Sequence, residues 1–108
     1  MKHDPEIIRR AAALMREQAE AATPGPWQVD PTDGADYVFD VATGGFCFVP
    51  DNNCQRPVAN AAHIASWHPV VALAVADWLE FVATSADFGM EPPIKALTVA
   101  RAYLGGQR

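Results

Sequence analysis

Five residues, Thr23-Pro-Gly-Pro-Trp27, do most to limit what this chain can become. Pro24 disfavours helical geometry at the residue before it, Gly25 opens backbone angles closed to other residues, and Pro26 has no amide hydrogen to donate. A helix that reaches this corner stops there. The hydrophobic period changes after it, so the corner divides two kinds of secondary structure.

Before the corner, Ile7, Ile8, Ala11, Leu14, Met15 and Ala22 recur at helical spacings, with Arg9, Arg10, Arg16, Glu17 and Glu20 largely on other faces. Asp4 followed by Pro5 predicts the start of this helix, the carboxylate as N-cap and the proline at the first position. After the corner, "WQVD" predicts a short strand and "DPTDG" a turn. "YVFDVA", "TGG" and "FCFVP" then predict a hairpin with β-branched and aromatic arms. "DNN" reads as a loop and "RPVA" as a further short edge segment. Successive strands with no helix between them pair antiparallel.

The chain then turns helical again. "ANAAHIASW" predicts a short helix, and His68, in the N-cap position before Pro69, restarts a longer one to about Thr84. Only Asp77, Glu80 and Thr84 form a polar stripe on it, so most of its circumference is expected to pack against the sheet, other helices or a second subunit. "DFGMEPP" is a linker. "PIKALTVARAYLGG" closes the chain as a helix with Ile94, Leu97, Ala100 and Leu104 on one face and Gly105 past its end. With 108 residues, half of them apolar, one core is attainable without a metal or disulfide. The expectation is a single α+β domain spanning 1–108: an N-terminal helix, a three- to four-stranded antiparallel sheet with a β-hairpin, then two or three C-terminal helices packed on one face. The surplus apolar surface of the later helices predicts a homodimer.

Charge narrows the partners. The net charge is −5, and no Lys or Arg falls between Arg16 and Arg56, which argues against nucleic acid and anionic membranes. The apolar run "PVVALAVADWLEFVA" is cut by Asp77 and Glu80 and is short for a bilayer span, so no membrane role is expected. The N-terminal "MKHDPEIIRR" has no apolar signal core, which with only two cysteines predicts a cytoplasmic protein with reduced thiols.

Several side chains carry candidate chemistry. Cys47, Cys54, His63 and His68 form a C-x6-C-x8-H-x4-H series whose histidine spacing suits zinc but whose cysteine spacing exceeds that of a zinc knuckle. Cys47 between two phenylalanines also fits as a small buried thiol, and no metal or cofactor is expected. Ser66 near both histidines lacks the third group that a hydrolytic triad requires, so no catalytic residues are assigned and the chain is not expected to be an enzyme. "DPTDGAD" at 30–36 lacks calcium-loop spacing, since Val41 stands where the bidentate Glu belongs. Trp27, Trp67 and Trp78 are large enough to line a ligand pocket, but with Ile64 they are read as structural anchors.

"AEAATPGPWQVD" followed by "NAAHIASWHPVVALAVADWLE" resembles the Ead-like early proteins of lambdoid phages and the related small proteins of actinobacterial phages and prophages. The resemblance covers 20–27 and 60–79 and departs from the family pattern at His68, where Asn or Asp normally caps the helix. It implies an accessory phage protein in the host cytoplasm, with no catalytic residues to carry over. The recurrence of corner and helices together implies that Trp27 packs beneath the second half. Function is then expected in the variable hairpin between the two matched segments. The reading is a non-enzymatic phage or prophage accessory protein that binds a host protein through the acidic 30–53 segment, with Asp33, Asp36, Tyr37, Asp51, Asn52 and Asn53 as contact candidates. The alternative is sequestration of a signal nucleotide in a pocket lined by Trp27, Tyr37 and Trp67.

Overall fold

The structure, a computed structural model, describes residues 3–30, 36–51 and 53–106. Helix α1 (His3–Ala21) begins one residue before the expected cap. Asp4 therefore lies inside the first turn with Glu6, where both carboxylates face the positive end of the helix dipole.

The corner stops the helix as its residues require. Gly25 takes φ +86°, the Gly25–Pro26 bond is cis, and the Trp27 indole Nε1 donates to the Thr23 carbonyl at 2.9 Å. A Cβ on Gly25 would lie 3.3 Å from Trp27 Cδ1 and 3.5 Å from His68 Nδ1, so this position needs both the positive φ and the missing side chain.

Strands β1 (Trp27–Val29), β2 (Val38–Asp40) and β3 (Phe46–Phe48) form one antiparallel sheet in the order β1-β2-β3. Trp27 faces Asp40 and Val29 faces Val38. Backbone bonds from Asp30 to Tyr37 and from Val41 to Pro26 extend that pairing at both ends. On the other side Phe39 faces Phe46 and Val38 faces Phe48, which leaves Cys47 as the extra residue of a bulge. The hairpin turn is held by Asp40, only 2% exposed, whose Oδ2 accepts from the Thr43 amide at 3.0 Å and the Thr43 hydroxyl at 2.8 Å. Gly44, at φ +76°, donates its amide to the Asp40 carbonyl at 2.7 Å.

"RPVA" is not an edge segment. Pro57 opens helix α2 (Pro57–Ser66) at its first position, where a proline's fixed φ and absent amide hydrogen favour helix, so the described sheet has three strands. Helix α2 lies on β1 and β2. Ala61 and Ala65 meet Val38 in a small core framed by Trp27, Val29, Cys47, Phe48 and Ile64. The alanines leave room for the helix to come close to the sheet.

Helices α3 (Pro69–Asp87) and α4 (Ile94–Gly105) complete the α+β chain, which divides into two compact units. The sheet unit is Ala19–Val71, and the helical unit combines Met1–Gln18 with Ala72–Arg108. Of the helices after the sheet, α2 is therefore the one that packs on it, while α4 and most of α3 belong with α1. The helical unit buries Ile8, Ala11, Ala12 and Met15 of α1, Ala76, Leu79, Val82 and Ala83 of α3, and Ala96 and Ala100 of α4.

Ion pairs tie α1 to α3. Arg9 meets Asp87 at 2.8 Å, and Arg16 meets Asp77 at 2.7 Å and Glu80 at 2.8 Å. The hydrogen bonds from Asp77 and then Glu80 hold the Arg16 guanidinium's proton more firmly than usual. Tyr103 of α4 donates its hydroxyl to Gln18 Oε1.

Helix α3 runs three residues past its expected end. At 19 residues and mean hydropathy 1.4 it is long and apolar enough to cross a membrane by length and composition, with 33% of that window buried. Asp77 and Glu80 within it are nonetheless paired to α1. One apolar expectation is corrected here. Ile94 is 81% exposed, because α4 begins at Ile94 and turns Ala96 and Ala100 inward. Trp78 is 41% exposed, while its neighbour Leu79 takes the core position.

Candidate functional site: a groove beside the sheet edge

Within the sheet unit, β3 occupies one edge and α2 lies over β1 and β2, which leaves a channel between them. This groove has a volume of about 380 Å³. Phe48, Val49, Pro50 and Asp51 form one wall, where the chain leaves β3. Asn60, His63 and Ile64 form the other, at the i, i+3, i+4 spacing that puts side chains on one helix face, and Cys54 closes the end.

The turn that shapes the groove is local chemistry. The Asp51 side chain accepts the Asn53 amide at 2.9 Å, and the Cys54 amide donates to the Asp51 carbonyl at 3.2 Å. Asn60 Nδ2 then donates to Cys54 Sγ at 3.3 Å, joining the turn to α2. The lining is apolar at Phe48, Val49, Pro50 and Ile64. It carries one exposed carboxylate and one imidazole, and no Lys or Arg.

The groove collects residues that the sequence suggested for different reasons. Asp51, a contact candidate, meets Cys54 and His63, both ligand candidates, and the anchor Ile64. Cys47 and His68 lie elsewhere. Cys47 sits in the bulge beside the α2 core, where burial first and the Asp40 charge second push its thiol pKa up. His68 stands against Gly25 with its Nδ1 buried and unpartnered, so that nitrogen does not cap α3. Among the described residues no group of three His, Cys, Asp or Glu side chains is placed to hold a metal ion.

The other candidates separate. Asp33 and Asn52 lie outside the described residues. Asp36 is half-buried, with Oδ1 shielded and unpartnered. Tyr37 packs edge-on against Phe46, ring centroids 5.2 Å apart, and Asn53 is exposed beside Asp51. Trp27 is engaged by Thr23 and the α2 core. Trp67, the residue that caps the end of α2, is 40% exposed. None of Trp27, Tyr37 and Trp67 lines the groove.

Sequence reasoning missed Phe48 and Val49 as site residues. The available signal was Pro57, since a helix started there brings Asn60 and His63 onto one face.

The helical unit has surfaces of its own. A wider cavity of about 550 Å³ runs past Pro5, Arg9, Asp87 and Glu91, but Arg9 and Asp87 across it satisfy one another. A smaller, apolar hollow of about 190 Å³ lies among Trp78, Phe81, Met90 and Pro93. Phe81 is 69% and Met90 66% exposed there.

Fold and site together define an α+β protein with an apolar groove between an edge strand and a helix. Compared with known proteins, the chain matches no family model, no curated protein and no solved structure.

Proposed function

We propose that this chain is a non-enzymatic accessory protein that acts by binding another protein, with the β3–α2 groove as its contact site. The observation that carries the reading is the groove itself, an apolar channel between α2 and the chain leaving the edge strand β3 at Phe48, with one carboxylate, Asp51, and no Lys or Arg in its lining. Such a surface suits a polypeptide better than a phosphorylated small molecule, which would call for Lys or Arg. The Cys54 sulfur accepts from the Asn60 amide group, which gives it a place in the groove wall as a structural contact. The resemblance to the Ead-like phage proteins supplies the setting, a phage or prophage gene product meeting a host protein in the host cytoplasm.

The same proposal has the chain self-associate as a homodimer through Trp78, Phe81, Met90 and Ile94 of the helical unit. Trp78, Phe81 and Met90 border one apolar hollow and are 41%, 69% and 66% exposed, and Ile94, the next residue after that hollow's Pro93, is 81% exposed.

Affinity capture from an actinobacterial host lysate tests the groove. Val49 is 53% exposed and His63 is exposed, so Val49→Arg and His63→Glu should leave the melting temperature nearly unchanged while abolishing capture of the protein that the wild type retains. Capture equal to wild type by both variants removes the groove from the account. Asp51→Lys, at an exposed residue of the groove, reverses the charge there and should weaken capture as well.

A further inference from the structure

A strand at a sheet edge presents a row of unpaired backbone amides and carbonyls. Strand β3 pairs with β2 on one side and, among the described residues, with nothing on the other. Its chain continues through exposed Val49 to Pro50, which has no amide hydrogen and so ends the usable edge. Helix α2 stands off from this edge and presents His63 and Ile64 toward it across the groove.

An edge strand and a helix separated by an apolar channel is the arrangement that receives an added strand. The guest's backbone bonds to the edge, and alternate side chains drop into the channel. A helical guest would leave the β3 backbone groups unused.

Resting on the protein-binding reading above, we propose that the occupant of this groove is an extended peptide segment of the partner, added as a further strand on β3. It seats an apolar side chain against Phe48, Val49 and Ile64 and carries a Lys or Arg that reaches Asp51. Charge complementarity commits the guest to a cation. Asp51 is exposed at the rim and no Lys or Arg lines the groove. The usable edge is short, β3 and the residue after it, so few backbone bonds are available and the apolar anchor must supply most of the affinity. A cavity of about 380 Å³ sits near the lower end of ligand-pocket sizes, which fits one or two side chains and not a packed helix.

The test pans a library of short random peptides on the full chain and then synthesises the best binder with single N-methyl groups along its backbone. Enriched peptides should place an apolar residue next to or two away from Lys or Arg, and should be lost on Val49→Arg. N-methylation should weaken binding roughly tenfold or more at alternate amides, those facing β3, and leave the intervening ones near wild type, since each facing methyl removes a backbone bond. Asp51→Asn should weaken cationic peptides several-fold and reduce their salt dependence. Binders indifferent to Val49→Arg, an N-methyl pattern without alternation, or no enrichment at all would each overturn strand addition. If capture from the lysate still depends on Val49 in those cases, the protein-binding reading stands without it. If that capture is insensitive too, both fall.

Discussion

The helical unit and the sheet unit hold themselves together by different means. The first encloses Ile8, Met15 and Leu79 completely, and adds the Arg9 and Arg16 pairs across α1 and α3. The second has Val38 as its large fully buried side chain, with two alanines above it. Its shape comes from specific polar bonds, such as Asp40 to Thr43, Trp27 to Thr23 and Asp51 to Asn53. A unit defined by turns leaves surface beside its strands open, and here that surface is the groove. A unit defined by apolar helix faces keeps its openings outside the core, and here they form the exposed face around Phe81. The two kinds of opening suit different occupants, an extended chain in one case and a flat apolar surface in the other.

Truncating the cores is the strongest way to break this contrast. Leu79→Ala should cost about 2–5 kcal/mol by cavity formation, and Val38→Ala about 1–3 kcal/mol, because a smaller side chain is lost from a smaller core. Denaturant melts of the two variants rank them. A Val38→Ala loss equal to that of Leu79→Ala would mean that the sheet unit depends on apolar burial as much as the helical one.

A second measurement sharpens the contrast between their surfaces. Phe81→Glu should convert a dimer to a monomer in sedimentation equilibrium with little change in melting temperature, as Phe81 is 69% exposed. Peptide binding at the β3 groove should persist in that variant. A wild type that is already monomeric removes the self-association half of the proposal.

The smallest effect concerns Cys47. Its thiol pKa is raised in the fold, first by burial and then by the Asp40 charge, so the neutral thiol is the form that the native state favours. The stability linked to it is present below the ordinary thiol pKa, 9.0, and is lost as pH rises through and above that value. Cys47→Ala should therefore flatten the alkaline limb of a melting-temperature profile by about a degree. An unchanged limb would show that the bulge keeps the thiol solvated.

How much of this could be read from the chain depended on how far apart the deciding residues lie. Thr23 to Trp27 is local, and its proline and glycine sterics announced the end of α1 without reference to anything distant. The three strands and the later helices followed from hydrophobic period, while their ends moved by a few residues. Asp4 entered the first turn, and α3 continued to Asp87. Pro57 suits an edge strand and a helix start equally, because either place satisfies its missing amide hydrogen, and the structure uses it as the start of α2. The size of a tryptophan does not say which side of a helix faces inward. Trp27 is held in the sheet unit's core, whereas Trp67 and Trp78 keep two-fifths of their surface in solvent.

The sequence by itself determined where helix gives way to strand, that the strands pair antiparallel, and that the middle of the chain lacks cations. Only the tertiary structure decided that Val49, Cys54 and His63 border one groove, and that Asp40 is buried while Asp51 stays at the surface. The reason is physical. Backbone sterics and side-chain period act over a few residues, whereas the groove depends on the offset at which α2 settles on β1 and β2, which is set by Ala61 and Ala65 meeting Val38 from a distant part of the chain.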